Sequence, residues 1–369
     1  MALNLKRAPP AAAARRAAAP SPARAAAAAT SRRRSVVVCA AGDKCLIVNC
    51  KSGGHAFVGL YLAKALLAKG HDVTLLNDGD EAKLVKKAPC EQYASVPKLN
   101  VVWDSPANAG AHAAGCRFVY DNNGKDLEAC GPVIDAALAN KAHYVFVASA
   151  GAYKDDAVEP MLVEGMPRKA AAGHALVEAR LAQEKADNGL AYTVFQPLYL
   201  YGPHTSKDCE QWFVDRVSRG RAVPIPAPGV QLVTLTHVED AAEMLSLVPS
   251  NAAAADGQQY NVCSDRAVTF VGIAKAVAKA MGKEDARVVL YDPEAVGTGK
   301  KGKADGFPFR TEHFFASADK AKRELGWAPR HDFLADVGQR VEEYLALGRD
   351  KKEGIDFSVD DKVLAALGK

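Results

Sequence analysis

A chain of 369 residues is long enough for a two-lobed globule with a large core. Hydrophobic residues at 49% and charged residues at 24% are ordinary for a globular protein, and no apolar run approaches the roughly 20 residues of a bilayer span, which excludes a membrane-crossing helix. The formal charge of +4 hides an asymmetry more informative than the total.

Residues 1–42 hold Lys6, Arg7, Arg15, Arg16, Arg24, Arg32, Arg33 and Arg34 and no acid, in a background of Ala with Pro and a little Ser. Such a segment cannot bury a core, and it matches an organelle transit peptide. The competing reading is a disordered basic arm that binds nucleic acid. Small residues in VVVCAA (36–41) suit processing between Cys39 and Ala40. Without those eight cations, 39 Lys and Arg face 43 Asp and Glu, a net of −4. A polyanion therefore has to be held by a local patch, because the whole field does not attract it. The eight cysteines show no CxxC spacing and read as buried thiols of a reducing compartment.

From Lys44 the chain alternates apolar runs with amphipathic stretches. KCLIVNC is a predicted strand and 57–69 a helix. HDVTLLN (71–77), LNVVW (99–103), CRFVYDN (116–122), HYVFVAS (143–149) and AYTVFQP (191–197) are further strands, with helices over 126–140 and 170–188. This alternation predicts an α/β fold: a Rossmann-like, doubly wound parallel sheet over 43–197, with its ligand crevice beyond the carboxyl ends of the strands. After Pro197 the sequence turns rich in Pro, Gly and aromatics, which predicts a smaller C-terminal α/β lobe over 198–346, with some segments returning to the sheet, and a tail over 347–369.

The turn after the first strand, SGGHAFVG (52–59), has the place and spacing of a dinucleotide loop, supplied by Gly53, Gly54 and Gly59. Ala56 stands where a glycine lets a pyrophosphate approach, so NAD(P) binding is expected to be weak or absent. Asp78, with Asn77, ends the second strand and suits either a ribose hydroxyl or the turn before Gly79. GTGKKGKA (297–304) mimics a phosphate loop, but Ala304 replaces the Ser or Thr that holds Mg²⁺, which leaves a flexible basic loop.

FVASAGAY (146–153) and KAAAGHALVE (169–178) resemble the strand-end serine and catalytic-helix regions of short-chain dehydrogenases/reductases. Aligned on Glu178, the helix puts Ala170 at the tyrosine position and His174 at the lysine position. Tyrosine-assisted hydride chemistry loses both groups that make a phenol reactive near neutral pH. QPLYLYGP (196–203), HVED (237–240) and ELGWAP (324–329) resemble the second lobe of extended, sugar-nucleotide-type members. His237 and Asp240 are expected to join the lobes by hydrogen bonds.

The combination VNCKSGGHAFVGLYLAK, YDNNGKDL (120–127), KDCEQWFVDR (207–216) and HFFA (313–316) resembles the chloroplast stem-loop RNA-binding proteins, atypical members of that superfamily. The resemblance implies a nuclear-encoded protein imported into the chloroplast stroma, binding to structured chloroplast RNA (mRNA stem-loops and rRNA), and association with plastid ribosomes. It also implies assembly with itself or a paralogue, and a divalent-metal-dependent endoribonuclease activity. The residues offer two basic clusters for phosphate: Lys300, Lys301 and Lys303 with Arg310, and Arg216, Arg219 and Arg221 beside Trp212 and Phe213. For Mg²⁺ and catalysis they offer Asp121, with Asp104 and Asp135 as further carboxylates. Each has a plain structural alternative, a solvated face for the cations and a turn cap for Asp121. An NAD(P)-dependent sugar-nucleotide epimerase or dehydratase, and a non-catalytic ribosome-associated scaffold, are the competing functions.

Overall fold

The computed structural model describes residues 42–49, 56–154, 159–205 and 209–369. In chain order, β1 (Lys44–Asn49), α1 (Ala56–Ala68), β2 (Asp72–Asn77), β3 (Asn100–Trp103), β4 (Phe118–Asn122), α2 (Leu127–Ala139), β5 (His143–Val147), α3 (Gly173–Asn188) and β6 (Tyr192–Pro197) build the first lobe. After Lys44 every residue of β1 is buried, and so is every residue of β4 and β5. Such unbroken apolar runs belong to parallel strands covered on both faces. Gly59 lets α1 lie close to β1: a Cβ there would stand 2.5 Å from Asn49 Oδ1. Asp126 caps α2 by accepting from the Ala129 amide.

The second lobe carries β7 (Tyr199–Tyr201), α4 (Glu210–Ser218), β8 (Val223–Pro226), β9 (Leu232–His237), α5 (Val238–Leu245), β10 (Gln258–Val262), β11 (Ala267–Thr269), α6 (Phe270–Ala280), β12 (Val288–Tyr291), the hairpin β13 (Gly299–Lys300) and β14 (Lys303–Ala304), α7 (Asp319–Leu325), α8 (Phe333–Ala346) and α9 (Ser358–Ala366). β10 leaves this lobe and extends the large sheet, giving the order β10-β6-β5-β4-β1-β2-β3. The lobes are therefore interleaved in sequence. Phe213, Phe270, Phe307 and Phe309 stack on one another and make the core of the second lobe. The tail is docked through α9, whose Val363 is fully buried. No helix among the described residues is long and apolar enough to cross a membrane.

Candidate functional site

The crevice at the carboxyl ends of β1, β2 and β4 is floored by amides. Asn49 Nδ2 donates to Asn77 Oδ1, to the Tyr93 hydroxyl and to the Ala56 carbonyl, each at 3.1 Å. Asn122 Nδ2 donates to Asn49 Oδ1 at 2.7 Å, and the Tyr93 hydroxyl donates to Asn77 Oδ1 at 3.0 Å. These side chains satisfy one another where a dinucleotide's phosphates and ribose would need partners. The exception is Asn77 Nδ2, a buried donor with no partner. Of the predicted loop, Gly53 and Gly54 lie outside the described residues. Ala56 opens α1 and is buried, and Asp78 is half-buried beyond the end of β2. The sequence pattern does not single out Asn49 or Tyr93; the one signal for Asn49 is a polar residue closing an apolar strand.

The positions aligned with the dehydrogenase tyrosine and lysine carry Ala170 and His174. Ala170 lies in a turn before α3, and the His174 ring packs on Phe146 at 5.9 Å between centroids. Burial lowers the His174 pKa. Tyr153 is 1% exposed. Its hydroxyl bonds the carboxamides of Gln196 and Asn261, under β6 and β10. Desolvation pushes its pKa far up, although the Arg168 guanidinium, 3.9 Å above the ring, opposes this. Arg168 in turn pairs with Glu178 at 3.1 Å. Ser149 accepts from the Gly151 amide and shapes a turn.

The three aspartates do not assemble, which corrects the expected metal centre. Asp121 on β4 and Asp104 just after β3 are separated by β1 and β2. Three strand spacings put them roughly 14 Å apart. Asp121 is fully buried, accepting from the Tyr144 hydroxyl at 2.7 Å and the Asn123 amide at 2.8 Å. Burial raises its pKa to about 6, the opposite of what a cation ligand needs. Asp104 caps a turn, accepting from Ser105 and Asn108 and facing His112 at 2.8 Å. Asp135, on α2, is paired with Arg180 at 2.6 Å.

The two basic clusters part company. Arg216 is 4% exposed, lies 3.5 Å over the Trp212 ring, and pairs with Asp360 of α9 at 2.8 Å. Arg219 donates to the Tyr344 hydroxyl and to the carbonyls of Arg349 and Lys352. Arg221 pairs with Asp361 and covers Phe357 at 4.4 Å. This cluster fastens the tail, which corrects its expected role as an RNA surface, and Trp212 and Phe213 are core residues. Lys300, Lys301 and Lys303 are exposed on the β13–β14 hairpin. None of the three has an ion pair or side-chain hydrogen bond among the described residues. The hairpin geometry also disposes of the phosphate-loop likeness. Beside it, Arg310 bridges to Lys303 through its backbone, lies over Phe314 at 4.7 Å, and donates to the Gly151 carbonyl at 3.3 Å. The hairpin thus adjoins the turn after β5, at the crevice.

The hydrogen bonds expected to join the two lobes run instead within the second: Asp240 ties α5 to the segment before α8, and His237 Nδ1 accepts from the Glu239 amide of the helix it caps. Asp240 accepts from the Arg330 and His331 amides at 2.9 and 3.0 Å, and its carbonyl accepts from Trp327 Nε1. The His237 and His331 rings stack 3.8 Å apart.

Comparison with known proteins gives these features a context. A model of the NAD dependent epimerase/dehydratase family matches residues 52–263. Chloroplast stem-loop binding protein of 41 kDa b from Arabidopsis thaliana is 34% identical over 324 residues, covering 85% of this chain and 83% of that protein. A dTDP-glucose 4,6-dehydratase from Escherichia coli is 25% identical over 147 residues, 40% of this chain and 38% of the enzyme. Among solved structures, dTDP-glucose 4,6-dehydratase from Bacillus anthracis in complex with NAD superimposes with a TM-score of 0.66 at 14% identity, over 84% of this chain and 98% of that one. At that identity the likeness speaks for the fold alone.

Proposed function

The chain belongs to the NAD dependent epimerase/dehydratase family and, within it, to the chloroplast stem-loop binding group, and from that premise we propose that it is a chloroplast protein that binds structured RNA through the β13–β14 hairpin. The observation that carries the reading is the state of the lysines. Lys300, Lys301 and Lys303 are exposed and uncommitted on a chain whose charge, without residues 1–42, is negative. Such cations are worth most as phosphate contacts, which position RNA without reading its sequence. The extensive likeness to a stem-loop binding protein supports RNA as the polyanion.

The reading leaves out two activities. A sugar-nucleotide epimerase or dehydratase is favoured by fold, but Tyr153 is sealed under the sheet and Ala170 and His174 occupy the catalytic positions. The crevice amides fit tight NAD(P) binding poorly. A Mg²⁺-dependent nuclease built on Asp121, Asp104 and Asp135 has no common site for its ion.

The test is a salt titration of binding to a synthetic stem-loop, comparing the parent with a Lys300→Ala, Lys301→Ala, Lys303→Ala variant. Each lost phosphate contact removes roughly 0.7–0.9 from the slope of log K against log salt. The variant is expected to lose about two units of slope and to bind related and unrelated stem-loops equally less well. An unchanged slope would move the RNA surface away from the hairpin.

A further inference from the structure

Lys303 of the β13–β14 hairpin bridges to Arg310 through its backbone, and His313 follows three residues later. From there the chain runs extended along the surface. The Leu232 amide donates to His313 Nδ1 at 2.9 Å, and the Phe314 amide donates to the Leu232 carbonyl at 2.7 Å. Phe315–Ala316 then pairs in parallel with Met161–Leu162, with Phe315 opposite Met161. Side chains alternate across such a ribbon. Phe314 and Leu162 are buried in the core, so His313, Phe315, Met161 and Val163 share the outer face. His313 is exposed, Phe315 half-buried and Met161 46% exposed. Resting on the proposed RNA reading, we infer that this face takes unpaired bases of the RNA whose stem phosphates lie on the hairpin.

Three features favour bases here over further phosphate. The His313 and Phe315 rings stand edge to face at 6.3 Å between centroids, and an exposed ring offers a base its stacking surface. Glu312 lies between these rings and the lysines. Its carboxylate is 3.6 Å from where a Gly302 Cβ would stand, and it has no ion pair among the described residues. A carboxylate there repels the sugar–phosphate backbone but not a base. His313 Nδ1 accepts from Leu232, so the neutral ring carries its proton on Nε2 and presents a donor to the edge of a base.

Beyond Met161 and Val163 the face opens into a cavity of about 610 Å³, lined also by Gln258, Lys320 and Arg323. That lies within the roughly 300–1,000 Å³ of small-molecule sites, so a nucleotide fits. Lys320 donates to Gln258 Oε1 at 2.8 Å, which leaves Gln258 Nε2 as a donor without a partner among the described residues. Arg323 is exposed. The acids of the cavity are already engaged: Glu164 accepts from the Asn261 amide at 2.7 Å, and Asp319 faces Lys322 at 3.8 Å. The path therefore runs from phosphate contacts at the hairpin, over an aromatic face, to a cavity with an amide for a base edge and cations for its phosphate.

The experiment compares binding of the full chain to a synthetic stem-loop and to the same stem without its loop, a blunt duplex. The parent is expected to prefer the stem-loop by about 5–150-fold, the worth of stacking one base. Phe315→Leu keeps the apolar bulk and removes the ring, and His313→Ala changes an exposed position. Each should lower the loop preference and leave the salt slope unchanged. The Lys300→Ala, Lys301→Ala, Lys303→Ala variant should do the reverse, losing slope on both RNAs and keeping the preference. Equal affinity of the parent for both RNAs, with its salt slope intact, overturns the base face and leaves the hairpin reading standing. Binding to neither RNA overturns both. A loop preference that survives Phe315→Leu and His313→Ala also overturns the face. So do concentration-dependent dimers that Met161→Asp abolishes while the loop preference stays, because the face would then seat a second copy of the chain.

Discussion

Three lysines between 300 and 303 and three arginines between 216 and 221 look equivalent as strings of charge, yet the fold uses them in opposite ways. The arginines are consumed. Arg216 sits under α9 with Asp360, Arg219 gathers carbonyls from the segment after α8, and Arg221 holds Asp361. The lysines stand on a short hairpin with no ion pair among the described residues. A basic cluster is a surface only if the fold has not already neutralised it, and what decides this is the distant acid rather than the local density of Lys and Arg.

The strongest way to break that contrast is Arg216→Ala. Removing one member of a buried, hydrogen-bonded pair strands the other, at a cost of about 3–5 kcal/mol. Asp360 is 2% exposed, and burial already raises its pKa against the opposing pull of Arg216. Urea unfolding should show that loss, whereas the triple-lysine variant should stay within about 0.5 kcal/mol of the parent. If instead Arg216→Ala kept its stability and lost RNA affinity, the arginines would be the surface and the comparison would be reversed.

The difference also explains what the sequence made legible. Six of the seven strands of the large sheet were readable because each is a local run of apolar residues, and Gly59 because strand and helix are neighbours in sequence; β10, QQYNV, is no such run and is not singled out by the pattern. The hairpin was readable in part, since its glycines and lysines are local. The fate of Arg216 was not, because its partner lies 144 residues downstream on a helix with no distinctive pattern. The same holds for Tyr93, which reaches Asn49 across 44 residues, and for Asp121, whose burial under Tyr144 depends on two neighbouring strands. Residue type and order announce local geometry. Which polar groups satisfy one another is settled by packing.

The contrast between committed and available charge extends to the carboxylates and is sharpened by Asp121→Asn. The pKa of Asp121 is raised to about 6 by burial, against about 3.9 when unfolded. A raised pKa means that folding favours the protonated form. That stabilisation is complete below about pH 4 and is lost as pH climbs through about 6. A shift of roughly two units corresponds to about 2–3 kcal/mol. The asparagine variant does not ionise, so between pH 4 and pH 8 its stability should gain about that much on the parent. Parallel pH profiles would mean that Asp121 is solvated and charged after all, and would return it to the list of metal ligands.

The smallest expected effect concerns the crevice itself. Its floor, like the arginine cluster, is polar but already paired: Asn49, Asn77, Tyr93 and Asn122 bond one another, and of their groups Asn77 Nδ2 is the buried donor without a partner. A dinucleotide entering there must break amide contacts to make its own, and Ala56 stands where the family places a glycine. Ligand stabilisation follows the ratio of concentration to Kd, so at a concentration equal to Kd it is about 0.4 kcal/mol. NADH or NADPH at millimolar concentration should therefore move the unfolding transition by no more than about that amount. Asn77→Ala should leave even this response almost unchanged, because the Asn77 side chain is engaged with Asn49 and Tyr93 and not with a ligand. A large shift with either dinucleotide, abolished by Asn77→Ala, would show that the amide floor is a cofactor site in waiting. It would put the crevice with the hairpin, among the polar groups the fold has left available.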